Sequence, residues 1–247
     1  MTIKISCVIC VYNEAARIRN VLDVVVGHPL LDEIIVVNDG STDETVKVLS
    51  SYPAIRLVSY MPNRGKAYAL SQGIRASRNE LVIMVDADLA GLTQENITAL
   101  VEPVATGKAD VSLSLRRNSL SFYRLIGIDF VSGERVFPKS LLQDFLSEME
   151  RLPCWGGEVF MNRLIIARHL RVVIVHWQNV FNVRKFRKVG FWRGIFEEFG
   201  MIWDALKVVS PLEVVRQNIA LLALMRRRPV GATKPARGKL AEGSGGA

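Results

Sequence analysis

Two aspartates separated by one alanine, Asp86 and Asp88, close the apolar run Leu81-Val82-Ile83-Met84-Val85. A buried carboxylate without a partner costs several kcal/mol, so a core strand that ends this way calls for something to satisfy it. Two carboxylates at this spacing suit a hard divalent ion, Mg²⁺ or Mn²⁺, which takes oxygen from a few carboxylates and from substrate phosphates. D-A-D alone is a weak signal, because any loop after a strand can carry it. Its company strengthens it. Tyr12-Asn13-Glu14, Asn38-Asp39-Gly40-Ser41 and Asn63-Arg64-Gly65-Lys66 each follow a strand-like run. In a parallel sheet such ends share one edge, where ligands bind. The collected groups suit a nucleotide diphosphate. Glu14 and Asp39 can accept from base or ribose, and Arg64 or Lys66 can approach phosphate. Simpler readings compete at each position: Asp39-Gly40 as a turn, Asp43 and Glu44 as acids at a helix N-terminus, and Lys66 as a solvated cation.

The elements that must position these groups alternate strand and helix. Strands are predicted at 3–11, 33–38, 55–59, 81–85 and 110–115, and helices at 15–26, 41 onward, 65–76 and 93–104. Ile18, Val21, Leu22 and Val25 recur at helical spacing, and Ser41 with Glu44 fits a capping box. This rhythm implies an α/β domain with a mostly parallel sheet and helices on both faces.

Of the 247 residues, 49% are hydrophobic, ample for a core. No run approaches the roughly 20 apolar residues of a membrane span, and Lys4 and Asn13-Glu14 break up any leader-like pattern, so a cytoplasmic protein is expected. Cys7 and Cys10 form a C-x-x-C. Positions three apart on a strand point to opposite faces, which argues for buried structural thiols over a redox or zinc pair. The net charge of +8 is uneven: residues 1–115 hold 10 basic and 13 acidic side chains, whereas residues 180–230 hold 10 and 4. The later part suits an anionic surface, and with no nucleic-acid-binding motif present, a membrane is the expected one.

CVICVYNEAARI, VVNDGSTDET, NRGKAYAL and IMVDADL, in this order and spacing, resemble the family 2 glycosyltransferases of the GT-A fold. The resemblance covers residues 3–115 specifically and continues more weakly to about 190. It implies a nucleotide-sugar donor, a divalent metal and inversion at the anomeric carbon. It implies that Tyr12, Glu14, Asp39, Lys66 and Asp86 serve the donor, and that Asp86 and Asp88 serve the metal, Asp88 most directly. It divides the chain into a GT-A domain over 1–190, with a nucleotide-sugar half to 115 and an acceptor half from 116.

The segment Val131-Ser132-Gly133-Glu134-Arg135-Val136-Phe137 resembles the family's stretch before the acceptor helix. The stretch Cys154-Trp155-Gly156-Gly157-Glu158 resembles the region where many members carry a general base, which makes Glu158 the candidate; capping the next helix is its alternative. A sugar hydroxyl needs such a base, whereas a lipid phosphate is already ionised and needs cations. Arg116, Arg117 and Arg124 flank the expected acceptor entrance, and Arg135 joins them as an acceptor-binding candidate. Arginines hold similar places in the polyprenyl-phosphate branch of the family, which includes dolichol-phosphate mannose synthases. One departure stands out: Ala90 replaces the glutamine that this branch often carries two residues beyond its second aspartate. His176 could complete a metal site, though a structural role competes.

Residues 191–228 read as two amphipathic helices. Trp192, Phe196, Phe199 and Trp203 line one face of the first. Basic clusters at 184–188 and 226–228 flank the pair, as on helices that lie in an anionic membrane interface. The tail, 229–247, has the composition of a disordered segment. The expected function is transfer of a hexose-type sugar from a nucleotide sugar to a membrane-presented acceptor, polyprenyl phosphate above all, by a peripheral enzyme on the inner membrane face. The rivals are transfer to a soluble or glycolipid hydroxyl with Glu158 as base, a sugar-phosphate nucleotidyltransferase, and a silent nucleotide-binding protein. The nucleotidyltransferase would want a Gly-rich basic loop after the first strand, which VYNEAAR lacks.

Overall fold

The computed structural model describes residues 4–116, 119, 129, 132–152, 156–182 and 211–225. Seven strands form one sheet in the order β3-β2-β1-β4-β7-β6-β8. They are β1 (Ile5–Val11), β2 (Glu33–Asp39), β3 (Ile55–Tyr60), β4 (Leu81–Met84), β6 (Val111–Arg116), β7 (Arg135–Pro138) and β8 (Val172–Trp177). A two-residue strand β5 (Leu89–Ala90) pairs with β9 (Phe181–Asn182) in a separate ribbon. The pairs β1–β2, β2–β3, β1–β4 and β6–β8 are parallel. Only β7 runs against its neighbours β4 and β6. The helices are α1 (Ile18–Val25), α2 (Thr45–Leu49), α3 (Lys66–Ala76), α4 (Gln94–Ala105), α5 (Leu146–Met149), α6 (Gly156–Ala167) and α7 (Pro211–Met225).

Apolar runs with no alternation bury both sheet faces. One core joins Val8, Ile35, Val37, Val82 and Phe137 to α3, α6 and α7, and the other joins Ile5, Ile9, Val36 and Ile83 to α1 and α4. Cys7 lies in the second core and Cys10 packs against the first, so the two thiols diverge as strand geometry requires. Burial pushes both thiol pKa values up, that of Cys10 to about 12.

The structure departs from the sequence reading at the second helix. Ser41 and Glu44 form no capping box, and α2 starts only at Thr45. Ser41 and its neighbour instead serve another strand end: Ser41 Oγ accepts from the Asn13 amide, and Thr42 donates to Asn13 Oδ1. The box forms at α4, where Thr93 and Asn96 cap each other.

A second departure concerns the C-terminal part. Leu221 and Leu224 of α7 are buried in the core, and Gln217 and Asn218 are buried beside them, so this helix belongs to the packed domain. Its outer face leaves Leu212, Val215 and Ile219 more than half exposed. The residues 192–206, the clusters 184–188 and 226–228, and the tail lie outside the described residues. Among the described residues, no helix is long and apolar enough to cross a membrane.

Candidate active site

The strand ends do meet. The loop after β1 is stapled to the loop after β2 by the Asn13 bonds and by the Glu14 amide, which donates to Thr45 Oγ1 at 2.9 Å. Glu14 also holds Arg17 in an ion pair, and Tyr12 stands 46% exposed at the rim. Asp39, buried at the end of β2, accepts from the Arg64 amide at 2.7 Å, the Gly65 amide at 2.9 Å and Asn63 Nδ2 at 2.9 Å. Its first role is therefore to set the loop that presents Lys66. Gly40 makes this approach possible: its φ of +71° suits glycine, and a Cβ there would collide with the Asn63 backbone.

Lys66 opens α3 and joins two acids. Its Nζ lies 2.8 Å from Asp86 Oδ1 and 2.8 Å from Glu158 Oε1. Asp86 Oδ2 faces Arg116 Nη1 at 3.4 Å, and the same nitrogen lies 2.7 Å from Glu134 Oε1. The chain Glu158–Lys66–Asp86–Arg116–Glu134 thus alternates in sign across the carboxyl ends of β4 and β6. Gly133 closes it from behind, because a Cβ at that position would land on the Asp86 carboxylate. Glu134 is fully buried, and Ser114 Oγ donates to its Oε2 at 2.6 Å.

The charges follow from this geometry. Burial opposes ionisation of Asp86, but Lys66 and Arg116 outweigh it and hold the carboxyl well below its usual range. Burial likewise opposes the charge on Lys66, and Asp86 and Glu158 outweigh it, so the ammonium is held firmly protonated. One guanidinium cannot serve two buried carboxylates equally: burial pushes Glu134 up to about 7, with Arg116 opposing and Asp86 adding.

Several site residues stand differently from expectation. Asp86, expected to ligate the metal with Asp88, has both oxygens engaged by cations. Arg135, expected at the acceptor, is fully buried, and its guanidinium donates to the Ser132 carbonyl and to Asn162 Oδ1 at 3.1 Å. It points into the core because β7 is the central antiparallel strand, covered on both faces. Glu158 sits in the first turn of α6, almost fully buried and paired to Lys66. His176 is exposed on β8. Arg117 and Arg124 lie outside the described residues. Sequence reasoning missed Glu134 and Asn182. Glu134 sits inside a noted motif, yet nothing in its spacing announces a partner for Arg116. Asn182 Nδ2 donates to Asp88 Oδ1 at 2.9 Å across 94 residues, a contact made by the β5–β9 ribbon.

Asp88 stands in surroundings that disfavour its negative charge. Burial raises its pKa, and the neighbouring charges of Asp86 and Glu14 raise it further, a strain that a divalent ion relieves. Among the described residues, no three His, Cys, Asp or Glu side chains gather around one point. The chain thus offers a hard ion one carboxylate, and Mg²⁺ or Mn²⁺ commonly binds through one or two carboxylates plus substrate phosphates.

The pattern of the glycosyl transferase family 2 matches residues 6–163. A dolichyl-phosphate beta-glucosyltransferase, ALG5A, of Trichomonas vaginalis is 35% identical over 220 residues, covering 72% of this chain and 67% of the relative. The dodecaprenyl-phosphate galacturonate synthase of Rhizobium johnstonii is 24% identical over 238 residues, covering 84% and 67%. Against four other curated relatives the chain spans half their length or less. Among solved structures, glucosyl-3-phosphoglycerate synthase from Mycobacterium tuberculosis superposes with a TM-score of 0.60 at 25% identity, over 74% of this chain and 72% of that one. The family's pattern runs across the loops and strand ends that hold Asp39, Lys66, Asp86 and Asp88, and the chain belongs to glycosyl transferase family 2.

Proposed function

We propose that the protein transfers a sugar from a nucleotide-diphosphate sugar to a polyprenyl phosphate with inversion at the anomeric carbon. One observation carries the choice of acceptor. Glu158, the one candidate base, is almost fully buried and neutralised by Lys66 at 2.8 Å, so it is poorly placed to take a proton from a hydroxyl. A phosphate oxygen, already ionised, needs no base. The names of the two curated relatives, each with a polyisoprenyl phosphate in it, support the same choice.

In this reading Glu14 and Asp39 face the nucleoside, with Tyr12 at the rim. Lys66 and Arg116 bring positive charge to the strand ends where the diphosphate lies, and Asp86 keeps both cations in place. Asp88 would hold Mg²⁺ or Mn²⁺, which when bound offsets charge on the departing nucleoside diphosphate. The solved relative that carries UDP-glucose also carries Mn²⁺. The acceptor oxygen attacks the anomeric carbon from the face opposite the diphosphate. The bond to the diphosphate oxygen breaks as the new one forms, and no proton moves. Arg117 and Arg124 complement the acceptor phosphate. The clusters at 184–188 and 226–228, with the exposed Leu212, Val215 and Ile219 of α7, dock the domain on an anionic membrane where that acceptor resides.

Residue exchange separates the acceptors. With a phosphate acceptor, Glu158→Gln lowers turnover far less than the roughly 10²–10⁴-fold typical of a lost general base, while Arg117→Ala or Arg124→Ala costs more. A large Glu158 effect beside silent arginines would overturn the reading.

A further inference from the structure

We infer that Asn182 is a second protein ligand of the divalent cation, offering its amide oxygen beside Asp88. The inference rests on the metal reading above and extends it to a residue from the far end of the domain.

Three observations meet here. Asp86 is committed to Lys66 and Arg116, whereas Asp88 pairs with no cation among the described residues. Ala90, on the strand that follows Asp88, has no side-chain oxygen to offer. The ribbon fills that gap from across: β9 runs antiparallel to β5 with Asn182 opposite Leu89, the residue next to Asp88. Gly91 lets the ribbon close, because a Cβ there would strike the Asn179 carbonyl.

Asn182 Nδ2 and Asp88 Oδ1 are 2.9 Å apart. Two adjacent oxygen ligands of an octahedral ion, each about 2.0–2.1 Å from the metal, lie about 2.8–3.0 Å apart. With no ion, an amide beside a carboxylate turns its N–H₂ toward it. With an ion, a half-turn of the same amide about its terminal bond exchanges nitrogen for oxygen at the same place. The backbone need not move.

The test titrates the full-length protein with Mn²⁺ in the presence of UDP, and of GDP in parallel, and reads free Mn²⁺ by electron paramagnetic resonance. Thermal melts check that each variant is folded. Asn182→Leu should weaken Mn²⁺ binding by roughly 10–100-fold, the scale for losing one group around a metal. Asn182→Asp, which keeps the oxygen and loses the N–H₂ donor, should bind at least as tightly as wild type. If Asn182→Asp binds as weakly as Asn182→Leu, the residue acts as a hydrogen-bond donor and the inference falls. It falls too if Asn182→Leu binds like wild type while Asp88→Asn has lost binding, an outcome that leaves the metal reading standing. If wild type binds no Mn²⁺, both fall together.

Discussion

Replacing Lys66 by methionine tests the charge chain at its centre. The substitution keeps the aliphatic stem and removes the ammonium that sits 2.8 Å from both Asp86 and Glu158. Breaking a buried ion pair by removing one partner costs about 3–5 kcal/mol. The Lys66 side chain is 30% exposed and Glu158 only 2%, so water in the cleft tempers the loss for one acid and not the other. The lower end, about 3 kcal/mol, is the expected cost, a large share of a total stability of about 5–15 kcal/mol. In a chain of this size it corresponds to a drop in Tm of about 6–12 °C. The pH dependence is diagnostic. Without the ammonium, one of the two acids must take a proton to stay buried. The folded variant then holds a proton that the unfolded chain releases, so its stability is greatest at low pH and falls as pH rises. Melts by circular dichroism from pH 5 to 8 should show the variant approaching wild type at pH 5 and falling furthest behind at pH 8. Adding Glu158→Gln to the variant should recover part of the loss at pH 8. A variant within about 1 kcal/mol of wild type at pH 8, flat across the range, would refute the idea that Lys66 neutralises buried charge.

Other perturbations follow from the same geometry. Asp88→Asn should abolish sugar transfer while leaving Tm equal to or above wild type in the absence of metal, since it removes a charge that burial, Asp86 and Glu14 all oppose; paired activity assays and melts check it. Gly133→Ala places a methyl group on the Asp86 carboxylate and should cost about 1–3 kcal/mol, as overpacking does, with kcat falling about 10²-fold for the displaced acid. Glu134, pushed up to about 7, holds a proton in the folded state that the unfolded chain loses above its ordinary value near 4.5. Its contribution to stability is therefore full below that pH and lost as pH rises through about 7. In Glu134→Gln that portion of the Tm–pH curve should flatten.

Much of the fold was legible because its strands are buried on both faces. Runs such as Ile34–Val37 and Val82–Val85 admit no alternation, and a chain that repeats them between amphipathic helices can hardly do anything but wind a parallel sheet. The one reversed strand was not legible: β7 is only four residues, RVFP, too short to show a period, and direction leaves no trace in composition. The strand-end residues were found because a shared sheet edge turns scattered polar triplets into one site. Their partners were hidden by distance. Nothing local to Asp86 says that one oxygen meets Lys66 and the other Arg116, and nothing near residue 182 says that it returns to Asp88. The burial of Arg135 was not legible, because sequence cannot tell an arginine held within the sheet from one at its mouth. The capping box was misplaced because Ser41 had a better partner in Asn13, 28 residues away.

The most direct measurement compares two lipids that differ by one group. Full-length protein with Mn²⁺ and a panel of UDP- and GDP-sugars is given either polyprenyl phosphate or the corresponding polyprenol, and lipid-linked sugar is followed by chromatography. A buried, neutralised Glu158 and an acceptor that needs no base predict product with the phosphate and none with the alcohol, with the anomeric configuration inverted. Product on the alcohol at a comparable rate, or product on neither lipid while a soluble hydroxyl acceptor is glycosylated, would contradict it.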